Sequence, residues 1–288
     1  MIRAPWLWTA WTFQPLVIVS LTVTGIAYGI GVARLWRAGR GRGVSVRRAV
    51  AFHAGLAFIV VALVSPLDAL AGWLFSAHMV QHLLLILIAP PLIVYGAPGA
   101  PLMLALPRAL RRRLHAARHS TAVRVTQRIV FSAAVVWSLQ TLAMWGWHLP
   151  APYQDALRSQ PLHALEHASF FFTAVLFWSL VIETGPRRKL GYGATIVLVF
   201  AAALQSAALG AVLTFASHPL YPLHIPRAAA LGVDALADQQ LAGLIMWVPA
   251  GTVYLITMAA LFLRWLKSME ADQAAERRAA ELVGAWDR

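Results

Sequence analysis

The chain has 288 residues, 60% hydrophobic and only 12% charged, and its 24 Lys and Arg against 11 Asp and Glu give a net charge of +13. A soluble domain carries about 25% charged residues, so this composition points to lipid as the solvent. The absence of cysteine excludes disulfides, thiolate metal sites and thiol catalysis. The basic residues fall in short loops between apolar runs, as membrane topology requires. That argues against nucleic acid as a partner, even for the stretch Arg40-Gly41-Arg42-Gly43.

Residues 1–12 hold Trp6, Trp8 and Trp11 and are expected to form an interfacial segment, since indoles favour the headgroup zone. Apolar runs follow at about 13–35, 47–66, 73–95, 127–147, 161–183, 192–216 and 239–263. About 20 helical residues cross a ~30 Å hydrocarbon core. The runs are too long and too uniformly apolar for the alternating strands of a barrel. The expected fold is therefore all-α: a polytopic membrane protein of about seven transmembrane helices, forming one domain over 13–266. The first run follows a single arginine and precedes a dense basic cluster, the reverse of a cleavable signal's charge order. Within the third run, Pro90-Pro91 should kink the helix and free carbonyls that a neighbour must satisfy. The tail, 267–288, mixes both charges with Ala, Leu and Val and is expected to be a short surface helix.

All the basic residues but Arg3, Arg158 and Arg227 lie in the loops after the first, third and fifth runs or in the tail. The positive-inside rule then puts the N-terminus outside and the C-terminus in the cytoplasm, with anionic lipid as a partner of the inner arginines.

The histidines sort the other way. His53, His115 and His119 fall on the inner side. His78, His82, His148, His163, His167, His218 and His224 fall at outer helix ends or in outer loops. His78 and His82 are i and i+4 on one helix face, as are His163 and His167, with Glu166 between the latter two. Each pair lies in the first turns of a span, and His148 ends another span at the same level. Ionisable groups inside a bilayer are costly and usually functional. A single histidine near a helix end reads as snorkelling or hydrogen-bonded, but five at one depth form a candidate site for copper, zinc or haem iron. Asp238 starts the last span at that level. Met144, one turn before His148, is a soft-ligand candidate that reads first as packing. His218 and His224, among Pro219, Pro222 and Pro226, either complete the site or are solvated.

Several of these motifs, in order, resemble the CtaG-type (caa3) cytochrome c oxidase assembly factor family. They are His78-Met79-Val80-Gln81-His82 followed by Ala89-Pro90-Pro91 and Gly96-Ala97-Pro98, then Trp147-His148-Leu149-Pro150, His163 to His167, and Asp238-Gln239-Gln240 with Gly243. The resemblance implies a factor in the bacterial plasma (inner) membrane that aids maturation of a haem–copper oxidase. Its client would be an oxidase subunit and its metal copper. The single-span copper chaperones that share the family's name use cysteines, so their chemistry does not transfer. Two other readings stay open. His163-x-x-Glu166-His167 fits the inverted zinc-protease pattern, two histidines holding zinc and a glutamate activating water. Facing histidines from the third and fifth spans could instead hold a b-type haem for electron transfer, given imidazoles about 4 Å apart across the iron.

Overall fold

A computed structural model describes residues 9–37, 39–182 and 190–286. Trp6, Trp8, Arg3, Arg187, Arg188, Lys189 and Arg288, used above for anchoring and topology, lie outside the described residues.

Every regular element among the described residues is a helix. The chain opens with α1 (Pro15–Trp36), which starts on a proline, where a missing N–H costs nothing. Ser45 caps α2 (Val46–Leu63), and Ser65 caps the short α3 (Pro66–Ala71). Then α4 (Phe75–Leu83) runs through a π-helical turn, Leu84–Ile88, into α5 (Ala89–Tyr95). Short helices α6 (Gly99–Ala105), α7 (Arg108–Arg118) and α8 (Thr121–Val130) lead to α9 (Ala133–His148). The remainder is α10 (Pro150–Arg158), α11 (Gln160–Ile182), α12 (Tyr192–Thr214), α13 (His224–Ala230) and α14 (Ala235–Trp286).

Among the described residues six helices are long and apolar enough to cross a membrane: α1, α2, the continuous Phe75–Tyr95 rod, α11, α12 and the first part of α14. The pair α8 and α9, bent by 58°, makes a seventh if counted as one span. The tail is not a separate helix. Between Arg264 and Gly284 it has no Pro or Gly and many strong helix formers, so the last span runs on without a break to Trp286.

Two packing devices fix the bundle. The first is the crossing of α12 and α14, where a Cβ on Gly243 would lie 2.6 Å from the Gly210 carbonyl oxygen. Without side chains there, the two backbones approach closely, as small residues allow between membrane helices. The second is the π-turn. The Ile86 carbonyl would bond residue 90 in an α-helix or residue 91 in a π-helix, and both are prolines. The Trp178 indole N–H of α11 donates to it instead, at 2.9 Å. The carbonyl freed by the proline pair thus becomes a cross-brace between α11 and the histidine-bearing rod. Around it packs one core built from Met79, Val136, Phe170, Phe177, Val199 and Tyr254.

Candidate metal centre

Two helix faces make the site. His78 is the fourth residue of α4, and His82 follows one turn later on the same side. On α11, His163, Glu166 and His167 occupy i, i+3 and i+4, which a helix places on one face. The braces at Ile86 and between Trp147 and Ser169 (2.8 Å) hold α11 against the π-turn that continues α4 and against α9. The result is a cluster of rings. Centroids lie 4.3 Å apart for His78 and His82, 5.4 Å for His78 and His163, and 4.2 Å for His163 and His167.

The donor atoms converge. One ligand atom from each of His78, His163, Glu166 and His167 lies within 4.8 Å of the other three. The Glu166 carboxyl is fully buried, with Oε1 3.6 Å from His78 Nε2 and 3.5 Å from His82 Nε2. These contacts exceed hydrogen-bond length. His78 Nε2, both His82 nitrogens, His163 Nε2, His167 Nε2 and both Glu166 oxygens are buried without a hydrogen-bond partner. Buried polar groups are nearly always satisfied, so such a concentration at one point demands an explanation. Three imidazoles and a carboxylate around one point are the donor set of a tetrahedral divalent metal, and the set fits one. His163 is only half-buried. It lines both an apolar groove of about 380 Å³ beside α1 and a polar recess with Asp68 and Arg227, so the cluster has a side open to the surface.

The other sequence candidates take distinct places. His148 is buried but outside the four-donor group. Its Nδ1 bonds the Met144 carbonyl at 2.6 Å, and its Nε2 faces Met79 Sδ at 3.4 Å. Asp238 lies outside the four-donor group: its carboxylate accepts the Phe75 N–H at 2.7 Å, the Ser76 N–H at 3.4 Å and the Ser76 hydroxyl. Leu74, at the cap position of α4, has no side-chain oxygen, so α14 supplies the cap from 163 residues away. That fixes the end of the helix that carries His78. His218 is exposed, with Ser217 as its hydrogen-bond partner at 3.3 Å, and stays out of the site.

His224 supports the site from behind. Its Nδ1 donates to the Trp73 carbonyl at 3.1 Å, which leaves Nε2 to accept from the Tyr153 hydroxyl at 2.8 Å. Burial lowers the His224 pKa against the opposing pull of the Trp73 carbonyl, which keeps the ring neutral. Burial, reinforced by Glu166, pushes the Tyr153 hydroxyl well up and keeps its proton on. Tyr153 so fixed sets its ring edge-on to His78, centroids 5.2 Å apart at 80°. Tyr153 carries no metal-ligand motif, and nothing in its spacing singled it out. Tyr221 completes the backing by donating to the His148 carbonyl at 2.8 Å.

The model of the family described as cytochrome c oxidase caa3 assembly factor (Caa3_CtaG) matches residues 26–268. An uncharacterised protein of Mycobacterium leprae is 28% identical, the match covering 97% of this chain and 43% of that protein. Uncharacterised proteins of Mycobacterium bovis and Mycobacterium tuberculosis are each 27% identical, over 95% of this chain and 42% of theirs. The chain thus spans less than half the length of the curated relatives it matches. No solved structure matches.

Proposed function

Because the chain belongs to the cytochrome c oxidase caa3 assembly factor family, we propose that it assists maturation of a haem–copper oxidase by holding a metal ion, copper, at the histidine cluster. The observation that carries this reading is the convergence of His78, His163, Glu166 and His167, with buried donor atoms that lack any other partner. In this reading His82 is a fifth, exchangeable ligand, and His148 stands next in line. The protein sits in a bacterial plasma membrane with its N-terminus outside, its cluster facing outward and its basic helices α7 and α8 on anionic headgroups of the cytoplasmic leaflet. The client is an oxidase subunit.

The donor chemistry favours this over the alternatives. Catalytic zinc keeps an open position beside three protein ligands, whereas here a carboxylate joins three imidazoles, with His82 in reserve. A haem between axial imidazoles needs room for its macrocycle, and these rings pack on one another at 4.2–5.8 Å between centroids. The test has two parts. Elemental analysis of detergent-purified protein after copper loading is expected to give stoichiometric metal in the wild type and one equivalent fewer in His163→Ala/His167→Ala. A deletion strain is expected to lose terminal oxidase activity, restored by the wild-type gene and not by that variant. A fully active oxidase in the deletion strain would refute the assembly role.

A further inference from the structure

We infer that His148, Met79, Met144 and Met246 form a second metal site, selective for a soft monovalent cation such as Cu(I), beside His82 and next to the histidine–glutamate cluster. One buried contact between His148 and Met79 has no hydrogen in it. The Met144 carbonyl can only accept, so His148 Nδ1, 2.6 Å away, carries the ring proton. In the neutral imidazole Nε2 is then a bare lone pair. It points at the Met79 thioether, 3.4 Å away, which has no hydrogen to give. Two electron-pair donors thus face each other inside the protein.

What lies between them suits an ion. Metal bonds of about 2.0 Å to nitrogen and 2.3 Å to sulfur, closing a 3.4 Å gap, subtend about 100° at the metal, near the tetrahedral angle. A cavity of about 20 Å³ adjoins the pair, room for one small occupant. Met144 and Met246 line it, so three of the chain's seven methionines meet at this point. In a chain without cysteine, thioethers are the only soft sulfur donors, and they select Cu(I) over harder ions. Among the described residues no carboxylate lines the cavity, so a dication there would have no anionic ligand. The two sites therefore differ in kind: imidazole and carboxylate in one, imidazole and thioether in the other. His82 joins them. Its Nε2 is 3.5 Å from Glu166, its ring is 5.7 Å from that of His148, and both its nitrogens lack partners.

The soft site stands on its own geometry; only its role as a second station rests on the function proposed above. The test uses the full chain in detergent. Cu(I) is loaded anaerobically and quantified against a chromophoric Cu(I) chelator, Zn(II) is loaded in parallel, and the copper environment is read by X-ray absorption. The expected wild type binds two Cu(I), with sulfur in the copper shell, and one Zn(II). Met79→Leu/Met246→Leu is expected to lose one Cu(I) and the sulfur shell while keeping its Zn(II). His163→Ala/His167→Ala is expected to lose Zn(II) and keep sulfur-ligated Cu(I). Wild-type copper with no sulfur shell would overturn the inference whatever the variants do, and would leave the His148–Met79 contact as packing or an N–H···S bond of a protonated ring. Unchanged copper and sulfur in the methionine variant would overturn it as well. Loss of Zn(II) binding in the wild type with sulfur-ligated copper retained would sink the histidine–glutamate site and spare this one.

Discussion

Glu166→Gln separates a carboxyl group kept for the fold from one kept for a ligand. Both Glu166 oxygens are buried and unpartnered, with imidazole nitrogens at 3.5 and 3.6 Å from Oε1. A buried polar group left unsatisfied costs about 1–3 kcal/mol. The glutamine amide is the same shape and brings an N–H that can donate to those imidazole lone pairs. The metal-free variant should therefore be more stable than wild type, by several degrees at about 2–4 °C per kcal/mol. The metal reverses the order. At a concentration 100 times the wild-type Kd, binding adds about 2.7 kcal/mol to the wild type. A hundredfold weaker variant gains only about 0.4 kcal/mol at the same concentration. Thermal unfolding in detergent, after chelator treatment and then across a copper or zinc titration, reads both quantities. A metal-free variant less stable than wild type, with an undiminished shift on metal addition, would make Glu166 a structural residue and refute the reasoning.

Three further outcomes are expected. Trp178→Phe should destabilise by about 1–3 kcal/mol by stranding the Ile86 carbonyl; in a Pro90→Ala/Pro91→Ala background, where the helix can bond that carbonyl itself, thermal unfolding should show a smaller loss. Asp238→Ala removes the cap of α4 and should cost about 2–3 kcal/mol, with weaker metal binding measured by chelator competition because His78 lies one turn inside the capped end. Equal metal affinity in that variant would separate the cap from the site. The chain has no native cysteine and both positions are exposed, so single His218→Cys and His115→Cys variants test orientation directly. A membrane-impermeant maleimide added to intact cells should label the first and reach the second only after permeabilisation.

What the sequence discloses about this molecule depends on the range of the interaction concerned. The spans were legible because lipid imposes one rule on every residue of a helix, and the i,i+4 histidine pairs because helical spacing alone puts both rings on one face. The consequence of Pro90-Pro91 was legible too, since losing two N–H groups strands a carbonyl wherever the helix packs. The identity of the rescuer was not: Trp178 lies 92 positions from Ile86, and only the crossing of α11 with the rod brings it there. The same holds for Asp238. At the start of a span beside histidines it reads as a possible ligand, yet it caps a helix whose own cap position is a leucine. His148 shows the limit most clearly. Depth groups it with the other four histidines, and in the fold it does lie near them, 5.7 Å from His82 between ring centroids. Its direction is set by the Met144 carbonyl one turn back, which leaves Nε2 facing Met79. Depth along a membrane normal can be read from hydropathy, but which way a ring faces comes from its hydrogen bonds. That second quantity is what divides one apparent histidine cluster into a hard half and a soft half.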